Sequence, residues 1–202
     1  MAHDREGCIS PIAGDDTPGF SRWIFFPGML FGSDVTWWAG TGIRKSPHEG
    51  VDFLYYTDND ANAHRIRSDA SVCAIADGII DAIIEDFLGS TIIVRSRNPE
   101  DNAVLLYLYA HTMPVFASRP GRVVRAGEVM ASLAPLRRPA AGLAPHLHLS
   151  VARLVHDISA GLLRWETISR DPSLELMDPL GYLSCPYGVL SMEKIVPGDL
   201  RV

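Results

Sequence analysis

Between about residues 48 and 153 the apolar residues fall in short runs: VDFLYY, SVCAIA, GIIDAII, STIIVRS, AVLLYLYAH, EVMASLA and HLHLSVA. These runs are rich in β-branched and aromatic residues, and turn formers separate them, as a chain of short strands requires. Asp77-Gly78, Asn98-Pro99-Glu100-Asp101 and Arg125-Ala126-Gly127 are the clearest of these turns. The spacing predicts a mostly β fold, an antiparallel β sandwich or barrel-like core. From Met1 to about Lys45 glycines and prolines recur, and Trp23, Phe25, Phe26, Trp37 and Trp38 follow no helical period. That stretch reads as an irregular N-terminal lead-in with short strands. Beyond Leu154 the pattern weakens into a short C-terminal helix/loop extension with a closing strand or turn. Read as a helix, ISAGLLRWETIS would align Ile158, Leu162, Trp165 and Ile168 as a core stripe on the sheet. The expected division is a lead-in over 1–39, one β domain over 40–183 and a tail over 184–202.

A chain of 202 residues can bury a core without disulfide staples. Its net charge of −6 gives no footprint for nucleic acid, and no apolar run is long enough to span a membrane. The opening MAHDREGCISPIAGDD lacks a basic region followed by an apolar stretch. The expectation is that the chain stays in the cytoplasm or that a leader has been removed. Cys8, Cys73 and Cys185 lie far apart with no C-x-x-C pair, so neither a cysteine zinc site nor a disulfide framework is expected. Three free, partly buried thiols are the reading adopted, with a Cys8–Cys185 bridge as the alternative. Oligomeric state is not legible.

Four histidines and one aspartate carry the candidate chemistry. In His146-Leu147-His148-Leu149 alternate side chains of a strand share a face, so both imidazoles point one way and both leucines point into the core. Two neighbouring imidazoles can serve a metal. In Pro47-His48-Glu49-Gly50-Val51-Asp52 a separation of four fits one side of a helix or of a strand. The flanking Pro47 and Gly50 and the β-rich run that follows place His48 at a loop end and Asp52 at a strand start. An imidazole and a carboxylate complement one more histidine as a catalytic zinc set, which leaves a fourth position for water. His111 ends the run AVLLYLYAH, and His3, His64 and His156 read as surface residues. No H-E-x-x-H helix, G-x-S-x-G elbow or phosphate loop is present.

On the motifs HEGVD, YAH and HLH, residues 40 to 183 resemble the lysostaphin-type, or LytM-like, zinc endopeptidases, which cut peptide bonds in bacterial peptidoglycan. SVCAIADGII, VVRAGEVMASL and MDPLGYL are also similar to family segments. The resemblance implies a zinc peptidase domain with zinc on His48, Asp52 and His148, with His111 and His146 catalytic, and with a peptidoglycan peptide or muropeptide as substrate. LAPLRRPAAGLAP replaces the family's glycine-rich approach to the last motif, and the segment from His156 to Glu175 is longer than the family minimum. Both segments line the substrate groove in that family. Two other readings compete: a glucose-type phosphocarrier domain, which needs no metal-binding aspartate, and an inactive metal-bearing binding module, which needs neither His111 nor His146.

Overall fold

The computed structural model describes residues 8–38, 42–136 and 143–190. Residues 1–7, 39–41, 137–142 and 191–202 lie outside this description, and with them the start of the lead-in, its junction with the expected β domain, part of LAPLRRPAAGLAP and most of the expected tail. The strands run in the order β1 (Phe20–Phe25), β2 (Val51–Phe53), β3 (Tyr55–Asp58), β4 (Ala63–Arg65), β5 (Ser71–Cys73), β6 (Gly78–Glu85) and β7 (Ser90–Arg97). They continue as β8 (Val104–Pro114), β9 (Val123–Val124), β10 (Val129–Leu133), β11 (Leu147–Leu154), β12 (Leu174–Met177) and β13 (Tyr187–Val189). The fold is mostly β, in two largely antiparallel sheets, and neither closes into a barrel.

Turn chemistry sets much of this order. At the β9–β10 turn Gly127 has φ +83°, a left-handed conformation that costs glycine nothing, and the N–H of Glu128 donates to the Arg125 carbonyl at 2.9 Å. At the β7–β8 turn the N–H of Asn98 donates to the Ala103 carbonyl at 2.8 Å.

The large sheet has the path β12-β11-β8-β7-β6-β9. Strand β2 pairs with the first half of β11 and β12 with its second half, while β10 pairs with β5 and with the end of β8. The small sheet runs β13-β1-β3-β4, and its β1–β13 pairing is parallel. Alternation along the central strands feeds two cores. Leu105, Tyr107 and Tyr109 of β8 join Leu147, Leu149 and Val151 of β11 in the main core, which also takes Trp23, Phe25 and Tyr56 from the small sheet. Leu106, Leu108, Ile93 and Ala152 face the other way and are covered by Ala160, Leu163 and Ile168. Each large apolar side chain fully buried in this way contributes roughly 1.5–3 kcal/mol.

Three details differ from the sequence reading. VDFLYY makes two strands, β2 in the large sheet and β3 in the small one, with Leu54 at the crossing between them. ISAGLLRWETIS is not one helix but two short 3-10 turns, Ala160–Leu162 and Ile168–Arg170, in which Leu163 is buried and Leu162 exposed. Gly161 and the β-branched Thr167-Ile168 weaken a helix here, and packing on the sheet decides the path. The expectation of three free thiols is also overturned: Cys8 and Cys185 form a disulfide, and only Cys73 is free. Sequence spacing could not show that the C-terminal strand returns beside the lead-in, where Ser184 Oγ accepts from the N–H of Ile9 at 2.9 Å.

A bridge across 177 residues restricts the unfolded chain strongly. Cys185→Ser should therefore lower the free energy of unfolding by about 2–4 kcal/mol in non-reducing urea titrations. An unchanged midpoint would show that the bridge adds nothing to the fold.

Candidate metal centre and cleft

Strand β11 lies between β8 and β2, with His148 opposite Ala110 on one side and opposite Asp52 on the other. This register joins residues almost a hundred positions apart. Because Leu147 and Leu149 enter the main core, His148 and Ser150 face away from it. His48 comes in just ahead of β2 on a backbone tied to the lead-in, since its N–H donates to the Ser33 carbonyl and its own carbonyl accepts from Gly32. Gly50 lets this segment lie close to β11: a Cβ there would stand 2.3 Å from the Leu149 carbonyl oxygen and 2.8 Å from His148 Nε2.

Three acceptors converge at this point. Asp52 Oδ1 lies 3.2 Å from His48 Nε2 and 2.9 Å from His148 Nδ1, and those two nitrogens are 3.0 Å apart. Each group is held from behind. His48 Nδ1 is 3.0 Å from the Leu30 carbonyl, which can only accept, so a neutral His48 carries its proton on Nδ1 and presents a bare Nε2. His148 Nε2 is 2.9 Å from Ser150 Oγ, which can accept a hydrogen bond from Nε2–H and so favour the tautomer with a bare Nδ1. The far oxygen of Asp52, Oδ2, accepts from Trp37 Nε1 at 2.6 Å and lies 3.7 Å from the Arg44 guanidinium. All three side chains are buried. Two imidazole lone pairs and a carboxylate oxygen in contact, away from water, repel one another unless a shared cation or proton sits among them. His48, Asp52 and His148 therefore suit a metal ion, with the hydrogen-bonded outer nitrogens that metal-bound histidines need.

His146 precedes β11, and its Nδ1–H donates to the Ala144 carbonyl at 2.7 Å, so its Nε2 is bare and lies 3.7 Å from Asp52 Oδ1. Burial pushes His146 down to about 4, against the pull of Asp52 in the other direction. His148 is likewise pushed down to about 4 by burial, with its hydrogen bond to Asp52 opposing. In the metal-free site burial would raise Asp52, but attraction to the protonated forms of the His48 and His146 imidazoles, together with the hydrogen bond from His148, outweighs that and holds its carboxyl well below the usual carboxylate range.

His111 reaches the same cleft through a β-bulge. Regular alternation would turn it with Tyr109 into the main core, but the β7–β8 register shifts between Ser90 and Ile92, and His111 has φ +63°. The extra residue brings its ring to 5.0 Å from His146 and 5.8 Å from His148, centroid to centroid. All five residues chosen from the sequence thus come together around a cleft of about 310 Å³, whose walls are Trp38, Phe87, Leu143 and Trp165. The sequence reading missed what supports them. Trp37 packs edge-on against His146, and Trp165 does the same against His148. Asp86, an ordinary turn former by sequence, accepts from His111. The pairing Trp37-Trp38 was the one visible signal, and it came without spacing to any motif.

No family model and no curated protein matches the chain. Lysostaphin is among the solved structures to which it is similar. At 21% identity that match covers 89% of this chain and 57% of lysostaphin, with a TM-score of 0.47, so the chain spans less than two thirds of lysostaphin's length. CbpA from L. salivarius REN is 18% identical over 80% of this chain and 87% of its own, with a TM-score of 0.47. The catalytic domain of the prophage-encoded M23 protein EnpA from Enterococcus faecalis is 18% identical over 67% and 88%, with a TM-score of 0.37.

The buried imidazoles give a pH prediction for chelator-treated protein. His146 and His148 bind protons near pH 6.5 when unfolded but only near pH 4 when folded, so the unfolded state takes up more protons between those values. Stability should be complete above about pH 6.5 and fall as pH drops towards 4, by at most about 2.7 kcal/mol per pH unit for two protons. Below about pH 4 Asp52, whose pKa is also depressed in the fold, adds to the loss. Urea midpoints between pH 7.5 and 4 would test this, and a flat profile would contradict it.

Proposed function

We propose that the chain is a zinc-dependent endopeptidase that hydrolyses an amide bond in peptidoglycan peptides. The observation that carries this reading is the convergence of bare His48 Nε2, Asp52 Oδ1 and a freed His148 Nδ1, flanked by two further histidines that take no place among the three. Two histidines and one carboxylate are a catalytic-type zinc set, because three protein ligands leave one position for water. The HEGVD, YAH and HLH motifs add the family resemblance, which points to cell-wall peptide as substrate. The Cys8–Cys185 disulfide fits a protein that works where thiols oxidise, which is also where assembled wall lies.

When bound, zinc would polarise the scissile carbonyl and lower the pKa of a water to roughly 7. The protein supplies the rest. His111 and His146, which line the same cleft, would act as positioned base or acid, and the aromatic walls would shield a bound peptide from water. Trp37 and Arg44 occupy the far side of Asp52 and keep Oδ1 turned towards the two histidines. The phosphocarrier reading accounts poorly for Asp52, because a buried carboxylate between the histidines would repel a phosphoryl group. An inactive module would have no use for a bulge that brings His111 into the cleft.

Two experiments bear on this. By plasma mass spectrometry the wild type should hold one zinc per chain, Asp52→Ala and His148→Ala should hold none, and His111→Ala and His146→Ala should keep theirs while turnover falls roughly 10²–10⁴-fold. Equal zinc in all five proteins would sink the ligand assignment. In the second experiment, zinc-loaded protein is incubated with sacculi, soluble muropeptides and pentaglycine, with and without chelator. New chelator-sensitive peptide termini are expected by mass spectrometry. Absence of cleavage in every material would favour the inactive module, and phosphate transfer to His111 or His146 the phosphocarrier.

A further inference from the structure

Asp86 lies in the turn between β6 and β7, outside every motif, with a side chain that is completely buried. A carboxylate without solvent must find donors, and Asp86 finds five. Its Oδ1 accepts from the N–H groups of Leu88 and Gly89 at 2.8 and 2.7 Å and lies 3.2 Å from His111 Nδ1. Its Oδ2 accepts from the His111 backbone N–H at 2.8 Å and from Thr91 Oγ1 at 2.9 Å. A tight turn would explain the bonds to Leu88 and Gly89, but it would not require both the backbone and the ring of a residue on another strand.

His111 is the residue with a problem to solve. Of the non-glycine residues with positive φ, Ala61 and Asn102 sit in turns, whereas His111 interrupts a strand. The left-handed conformation costs such a residue about 1–2 kcal/mol. It persists only where surrounding bonds over-determine it. Asp86 supplies those bonds on both sides of the Cα, one to the main chain and one to the imidazole. Burial would raise the Asp86 carboxyl, but the bonds from His111 and the turn outweigh it and keep it well below the usual range, so it remains an anion that only accepts. The ring nitrogen facing it must then carry a proton. The support extends one layer further, because Thr91 Oγ1 in turn accepts from Trp165 Nε1 at 2.9 Å, which ties the C-terminal extension to the same carboxylate.

We infer that Asp86 is the positioning residue of His111: it stabilises the bulge that brings the ring into the cleft and fixes the Nδ1–H tautomer, leaving Nε2 as the nitrogen offered to substrate. At His146 the arrangement is reversed: a neutral carbonyl, that of Ala144, holds its Nδ1, and the carboxylate near it, Asp52, stands 3.7 Å from its Nε2 rather than behind the ring. The two cleft histidines are therefore inequivalent, and the one backed by a carboxylate is His111. This inference rests on the peptidase reading for its consequence in turnover, but not for the tautomer itself.

The test has an arm independent of activity. Long-range proton–nitrogen correlation spectra of zinc-loaded, ¹⁵N-labelled protein should show His111 protonated on Nδ1 and bare on Nε2. The opposite tautomer in the wild type overturns the inference whatever the variants do. Asp86→Asn must turn an amide NH₂ against one set of donors, so it should keep its zinc, scramble the His111 tautomer and lower kcat roughly 10²-fold at little-changed KM. Loss of zinc together with activity would make Asp86 a general structural residue and overturn the proposal, as would a kcat within about two-fold of wild type. Should Asp86→Asn not fold, Thr91→Val keeps the carboxylate and removes one of its donors together with the acceptor of Trp165. A several-fold loss in kcat is then expected, and none would count against the assignment. If the wild type cleaves no wall peptide, the peptidase reading fails, while the tautomer still decides the role of Asp86.

Discussion

Everything at the cleft depends on the register of β11. Leu147, Leu149 and Val151 occupy the main core, and that burial fixes which face of the sheet carries His148 and Ser150. A slip of one residue would reverse every side chain of β11. His148 would then enter an apolar interior without partners, at a cost of roughly 1–3 kcal/mol for each unsatisfied polar group, and two leucines would face the cleft. The same register sets His148 opposite Asp52 and Ala110, so the force that closes the core also assembles the candidate metal site.

Around that row, each polar side chain is fastened by a different part of the chain. The Leu30 carbonyl and the Trp37 indole come from the lead-in, Ala144 from the approach to β11, Ser150 from β11 itself and Asp86 from the turn before β7. The small sheet also belongs to this frame: β1 packs Trp23 and Phe25 against Phe53 of β2, one residue beyond Asp52. A site fastened from so many directions is preorganised, because no single imidazole can turn without breaking a bond behind it.

The sequence showed the part of this that obeys short-range rules. Alternation in HLHLSVA, the turn residues of the hairpins and the spacing of HEGVD are local, and they led to the central strands and to His48, Asp52, His146 and His148, whereas His111 came in with the YAH motif of the family resemblance. What escaped was non-local or irregular. Trp165 read as part of a helical stripe because its neighbours fit a period of about 3.6, yet the segment takes its shape from the second core. The bulge at His111 has no glycine to mark it, and the residue that fastens it, Asp86, lies 25 residues earlier. The bridge between Cys8 and Cys185 needed the parallel pairing of β13 with β1, which no local pattern encodes.

That bridge makes the chain from Cys8 to Cys185 a closed covalent ring. Exposed turns, such as the one at Asn98 to Asp101, are where proteolytic nicking concentrates. A single cut there would open the ring without releasing a fragment. The two pieces would stay joined through sulfur and paired through β7 and β8, so the nicked molecule would keep its unreduced mass on a gel and could hold its site together. The bridge would thus give tolerance of damage as much as stability.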